Sequence, residues 1–209
     1  GLLKKEENFV PVNKIQYIKW QSNPLRKFIG YQSLAIYQAA SAEVDRKKTV
    51  KVPGCKADQR HAVTSAFYPE YNPEVAFSHI APDGFWRSRL ILFSMLPMLV
   101  VAAAAILAKR PELLAVLPIY AALAVFFIRK YVAHFQALLS DDLLVINRGY
   151  IFPEQVLLKL YKVQNVEVVQ SIFQKRRGLL SLKIYTASGS LSLPFIPEAD
   201  GFAIANKLL

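Results

Sequence analysis

Residues 90–108 read LILFSMLPMLVVAAAAILA, nineteen positions without a charge. As a helix rising 1.5 Å per residue this run is about 28 Å long, close to the ~30 Å hydrocarbon thickness of a bilayer. Working outward, Lys109-Arg110-Pro111-Glu112 makes a four-residue link, and Leu113–Ile128 adds sixteen more uncharged residues before Arg129-Lys130-Tyr131. The second run spans only about 24 Å and must borrow its flanks or thin the bilayer. Burying two adjacent runs of this purity in a soluble core would take far more protein than 209 residues. The pattern predicts a transmembrane helical hairpin over residues 84–131.

The flanks agree. Phe85, Trp86, Arg87 and Arg89 precede the first run, and Arg129, Lys130 and Tyr131 follow the second. Aromatic rings at headgroup depth with snorkelling cations mark a membrane interface, so Trp86, Arg87, Arg89, Arg129, Lys130 and Tyr131 are the expected interface anchors. The larger, more basic flanks predict that both ends of the chain lie in the cytoplasm. Pro97 and Pro118 fall within the runs and are expected to kink the helices. No ionisable residue lies mid-run, which leaves a proton relay or ion pathway without groups to run on.

The formal charge is +11 and 54% of the residues are hydrophobic. Residues 1–89 carry 14 basic and 8 acidic side chains, 90–130 carry 4 and 1, and 131–209 carry 8 and 6. An excess spread along the chain and partly pinned beside the apolar runs suits an anionic membrane surface better than a nucleic-acid groove, so no nucleic-acid partner is expected. The single cysteine, Cys55, cannot form an intrachain disulfide.

On either side of the hairpin the sequence repeats. Residue n aligned with n+148 lays 1–41 on 149–189 without a gap, and eleven positions are identical. They include Gly1/Gly149, Glu6/Glu154, Lys14/Lys162, Gln16/Gln164, Gly30/Gly178, Ser33/Ser181 and Tyr37/Tyr185. In the second copy Leu182, Ile184 and Thr186 alternate with Ser181, Lys183 and Tyr185. Ser188-Gly189 then turns the chain into Leu191-Ser192-Leu193, an antiparallel hairpin by its period of two. Pro197-Glu198-Ala199-Asp200 opens a closing helix through Leu209. The first copy predicts a longer hairpin through Asp45-Arg46-Lys47-Lys48, a strand at Val50–Val52 and a helix near Ala57–Phe67. Phe135–Val145 reads as further strand ahead of the second copy. Each copy is expected to form a twisted sheet closed into a small barrel and capped by its helix. Nothing precedes Gly1 to match the strands ahead of Gly149, so the first copy is expected to lack its opening strands. Those must come from chain upstream of Gly1 or from another chain.

The runs Leu160–Ser171, Lys175-Arg176-Arg177-Gly178-Leu179 and Ser181–Gly189 resemble the bacterial pleckstrin-homology (PH) membrane proteins of the YdbS/YdbT type. Val12–Tyr37 resembles them too, with Ser22 in place of the usual Gln and Gln38-Ala39-Ala40 in place of a Thr-Ala-Gly turn. The resemblance implies a membrane α+β protein with two PH-like, helix-capped β-barrel domains, the first N-terminally incomplete, flanking a two-helix transmembrane hairpin. The boundaries are then 1–83, 84–131 and 132–209. It also implies a multi-pass protein of the bacterial cytoplasmic membrane with no enzymatic activity, and a role in envelope stress or in scaffolding membrane assemblies.

The residues themselves offer little chemistry. His61, His79 and His134 are scattered, no metal-ligand spacing appears, and neither a phosphate loop nor a nucleophile elbow is present, so neither metal nor cofactor is expected. Asp141-Asp142 reads as a turn rather than an acid–base pair. The basic loop Lys175-Arg176-Arg177 and its counterpart Arg26-Lys27 are the candidates for contact with anionic headgroups. Two functions stand open: a membrane-tethered interaction or scaffold protein with a protein partner or a second copy of itself, and a lipid-handling or transport component whose hairpin forms part of a pathway. A lipid-sized apolar groove would favour the second.

Overall fold

The structure is a computed structural model that describes residues 10–39, 49–72 and 78–208. The first members of the repeat, Gly1 and Glu6, and the charged tip 45–48 lie outside the described residues.

The first copy runs through a 3-10 turn at Val12–Lys14, β1 (Ile15–Gln21), α1 (Pro24–Phe28), β2 (Gln32–Gln38), β3 (Thr49–Cys55) and α2 (Ala57–Phe67). A short strand, β4 (Ser78–Ile80), leads into the helical pair α3 (Gly84–Leu107) and α4 (Val116–His134). Then come β5 (Gln136–Leu139), β6 (Leu143–Arg148) and β7 (Glu154–Lys159). The second copy repeats the first: a 3-10 turn at Leu160–Lys162, β8 (Val163–Val169), α5 (Ile172–Lys175), β9 (Leu179–Thr186), β10 (Gly189–Pro197) and α6 (Glu198–Leu208).

The repeat is physical as well as textual. Asn23 caps α1 by accepting from the Arg26 N–H at 2.7 Å, and Ser171, its counterpart 148 positions on, caps α5 by accepting from Gln174 N–H at 3.3 Å. Gly30 and Gly178 end these helices at φ +73° and +61°, a left-handed conformation that costs a glycine nothing.

The strands form two sheets. One is seven-stranded and antiparallel in the order β3-β2-β1-β7-β6-β5-β4, and the other is three-stranded, β10-β9-β8. The predicted incomplete first barrel is therefore not what residues 10–72 build. The edge of β1 expected to lie open is laddered to β7, with Tyr17 opposite Leu158, Ile18 opposite Leu157 and Gln21 opposite Glu154. Among the described residues no ladder joins the two sheets, whose facing side chains share one core.

The reason lies in β6 and β7. Leu143, Leu144, Val145, Val156, Leu157 and Leu158 all have zero exposure. Leu144, Ile146, Val156 and Leu158 face a core completed by Leu180, Leu182 and Ile184 of β9, Leu191 and Leu193 of β10, and Ile204 of α6. Leu143, Val145 and Leu157 point the other way, into a core with Ile18, Trp20, Leu34, Ile36 and Cys55 of the first copy. Strands buried on both faces read as continuous apolar runs rather than alternating ones. The second copy covers one face and the first copy the other.

A further departure concerns the boundary at 83/84. β4 precedes the helical pair and β5 follows it, yet the two are hydrogen-bonded neighbours, with Ile80 opposite Ala137. The hairpin is thus inserted between two adjacent strands of one sheet. The chain runs unbroken through Pro97, while Pro118 lies in the first turn of α4, where a missing N–H breaks no helical hydrogen bond. α3 closes on Lys109 at φ +51°, with Arg110 N–H donating to Ala105 O at 3.0 Å.

Glu154 stitches the seam between the copies. It accepts from Gln21 Nε2 at 2.9 Å, pairs with Lys19 Nζ at 3.2 Å and pairs with Arg148. Burial alone would push this carboxyl up, but Gln21, Arg148 and Lys19 more than offset it and hold it below the ordinary carboxylate range.

Two outcomes are expected. Leu157→Ala opens a cavity in the shared wall and should cost about 2–5 kcal/mol in denaturant unfolding of the detergent-solubilised protein, and a loss under 1 kcal/mol would show that the wall is not the common core. Glu154 has a lower pKa folded than unfolded, so its contribution is complete above about pH 5 and fades as pH falls through its depressed folded value. The stability gap between wild type and Glu154→Gln should therefore narrow on acidification, and a gap independent of pH would assign the stitching to other groups.

Candidate functional site: a collar around the helical pair

The antiparallel order brings one set of loops to one end of the molecule. The C-terminal end of β1 pairs with the N-terminal end of β7, so α1 lies beside the 149–153 turn that joins β6 to β7. The start of β5 pairs with the end of β6, so α4 delivers the chain to that same turn. Ser22 N–H donates to Pro153 O at 3.0 Å, joining the two loops directly.

The helical pair is rooted here. Asp83 caps α3 by accepting from Phe85 N–H at 2.7 Å, and its own N–H donates to Phe195 O at 2.8 Å. Phe195 sits at a bulge in β10 with φ +50°, and its ring meets Phe85 edge-on at 5.8 Å. α3 at 24 residues and α4 at 19 are each long and apolar enough to cross a membrane, and few of their residues are fully buried. They meet through Tyr120 OH, which donates to Ser94 O at 3.3 Å.

The predicted interface anchors divide into two groups. Trp86 is 8% exposed and belongs to the core, wedged against Tyr131 at 5.6 Å and Phe135 at 5.2 Å. It is a root for α3 rather than a lipid-facing ring, because the helix turns it toward the sheet. Arg87, Arg129, Lys130 and Tyr131 are exposed. Arg89 lies over Phe85, Phe93 and Phe173 at 5.6–5.9 Å.

The candidate headgroup residues divide as well. Lys175 at the end of α5 and Arg176 and Arg177 just after it are exposed, and the Arg177 guanidinium lies over Phe85 at 4.4 Å, so the basic loop leans on the first turn of α3. Lys27 is exposed. Arg26 is half-buried and donates to Ser33 Oγ, as Gln174 Nε2 donates to Ser181 Oγ at 2.8 Å in the second copy. Part of its guanidinium is therefore spent inside the fold.

Apolar side chains in these loops were missed by sequence reasoning. Leu25, Phe28 and Ile29 on and after α1, Ile151 and Phe152 in the 149–153 turn, and Ile172 and Phe173 on α5 are all exposed. Such a concentration on one end of a molecule marks an interaction surface. The available signal was Tyr150-Ile151-Phe152 between two strands, where a turn ordinarily carries polar residues.

Beside the hairpin, Leu90, Phe127, Ile128 and Tyr131 with Tyr150, Ile151 and Phe152 line an open apolar groove of about 390 Å³. Asp141, expected in a turn, lies in the β5–β6 turn and pairs with Lys207 at 2.8 Å.

No curated protein and no solved structure matches the chain. The family model described as Bacterial PH domain matches residues 90–209, from the first helix of the pair to the end of the chain, and leaves residues 1–89 outside. Since that match spans more than half of the sequence and takes in the second copy whole, the chain belongs to the bacterial PH domain family.

Proposed function

We propose that this chain is a non-enzymatic, membrane-anchored interaction module of the bacterial cytoplasmic membrane, similar to the YdbS/YdbT type. In this reading α3 and α4 cross the bilayer as a hairpin, and both β-rich parts lie in the cytoplasm. The observation that carries it is the joint at the base of the helices. Two unburied apolar helices leave the sheet side by side, ringed by Arg89, Arg177, Arg129 and Lys130 and by exposed rings and aliphatic side chains. Apolar side chains flanked by cations are what a soluble domain needs to rest on an anionic bilayer surface.

The surfaces left over serve protein contacts. β3, at one edge of the large sheet, has an open ladder side among the described residues, which suits an accessory subunit of an envelope complex or a factor in envelope stress. A second reading, a lipid-handling component, is favoured by the apolar groove against α4.

Two experiments test the proposal. A maleimide that cannot cross membranes should label Lys109→Cys from outside intact cells and should leave Lys207→Cys unlabelled. The opposite pattern would invert the topology. In full-length protein reconstituted with phosphatidylglycerol, a fluorophore at Ile172→Cys should be quenched by spin-labelled lipid. Neutralising Lys175, Arg176 and Arg177 together removes about 1 kcal/mol each. That should shift the docked-to-free ratio by up to about a hundredfold. High salt should act in the same direction. Unchanged quenching would return the loop to a solvated surface with no lipid contact.

A further inference from the structure

A second cavity lies at the seam between the two copies. It has a volume of about 220 Å³ and is bounded by Trp20, Gln32 and Arg60 from the first copy, Asn147 of β6, Gln155 of β7, and His134 at the end of α4. Arg60 reaches into this seam from α2. Its Nη1 donates to Gln32 Oε1 at 2.9 Å and its Nη2 to Gln155 Oε1 at 2.6 Å, while the guanidinium lies over the Trp20 ring at 5.7 Å. Gln155 is held in turn by Asn147 at 3.0 Å and Tyr71 at 3.3 Å.

Among the described residues the charge of Arg60 meets no anion. Two of its five N–H donors are used, both on neutral amides, and among the described residues no carboxylate reaches it. Burial lowers its pKa, and only Tyr71 acts against that. The one carboxylate lining the cavity, Glu154, is already committed to Lys19, Arg148 and Gln21. A half-buried guanidinium lying over an indole, with donors to spare and no carboxylate on it among the described residues, is an arrangement suited to binding an oxyanion.

The cavity adjoins the apolar groove. Gly149 lines both, and His134 packs edge-on against Tyr150 at 4.9 Å between them. Gly149 has φ +80°, and a Cβ there would run into the Phe152 carbonyl, so the turn that joins the two spaces requires glycine. Polar space with a cation that meets no carboxylate among the described residues thus lies beside apolar space on the flank of α3 and α4.

We propose that this paired site holds one anionic glycerophospholipid, with its phosphate at Arg60 and an acyl chain in the groove beside Phe127 and Ile128. The charge selects an anionic headgroup, and the groove selects a lipid over free phosphate. The site is separate from the Lys175–Arg177 loop, and it rests on the reading that α3 and α4 lie in a bilayer.

The test uses the full chain in nanodiscs of mixed phosphatidylglycerol and phosphatidylcholine, released into native mass spectrometry to count retained lipid. Wild type should retain one phosphatidylglycerol. Arg60→Gln should lower that retention by about tenfold or more. Ile128→Trp, which fills the groove from the helix and leaves Arg60 and its partners unchanged, should do the same, so a folding defect in the first variant does not decide the matter. Equal retention in wild type, Arg60→Gln and Ile128→Trp would overturn the proposal. So would equal retention of phosphatidylcholine, or loss of the lipid on adding inorganic phosphate alone. Alkaline carbonate washing of membranes separates the two failures. A wild-type chain that washes off sinks the membrane reading and this proposal with it, whereas one that stays but retains no lipid sinks only the lipid site.

Discussion

The burial of β6 and β7 on both faces is the constraint on which the other features depend. Six consecutive-in-space side chains with no exposure demand a layer above and a layer below. The second copy supplies one with β8, β9, β10 and α6, and on the other face the first copy adds Ile18, Trp20, Leu34 and Ile36 from its part of the same sheet, with Val63, Phe67 and Tyr68 on and after α2 packed there. Neither copy can be removed without exposing one apolar face of the wall, so the two halves of the chain are coupled through a common core. The ladder between β1 and β7 extends the same sheet and leaves no open edge where the copies meet.

The same wall explains how the helical pair is held. Because α3 and α4 leave from between β4 and β5, their roots are fixed by a sheet rather than by a linker. Trp86, Tyr131 and Phe135 form an aromatic contact from both helix ends into the core, and Asp83 ties the entry of α3 to β10 through Phe195. Tilting the hairpin would disturb packed rings. The β-rich part and the helices are therefore a single mechanical unit at their joint, which places α5 and the 149–153 turn beside the helices.

The seam between the copies shows two electrostatic solutions a few residues apart. Glu154 is surrounded by two cations and an amide and is held ionised. Arg60 has amides and an aromatic face but, among the described residues, no anion. Burying an unpaired charge is costly, and water at an open cavity relieves only part of that cost.

The sequence by itself determined the helical hairpin, the repeat, and the positions of most strands and closing helices. These are written in local signals: uncharged runs of membrane length, an offset of 148 with shared turn glycines, alternation in β9, and an acidic first turn in α6. It also pointed to the Lys175–Arg177 loop, since charge is visible without a fold. Only the tertiary structure decided that the copies share one sheet. Period-two patterning reports which face of a strand is buried, and Leu143-Leu144-Val145-Ile146, buried on both faces, has no such period to read. Nor could local patterning turn Trp86 inward, since an aromatic beside arginines reads the same at a bilayer interface as at a helix root. Arg60 and Gln155, 95 positions apart, meet only because β1 pairs with β7, and a pairing between distant strands is set by the complementarity of whole faces rather than by any one residue.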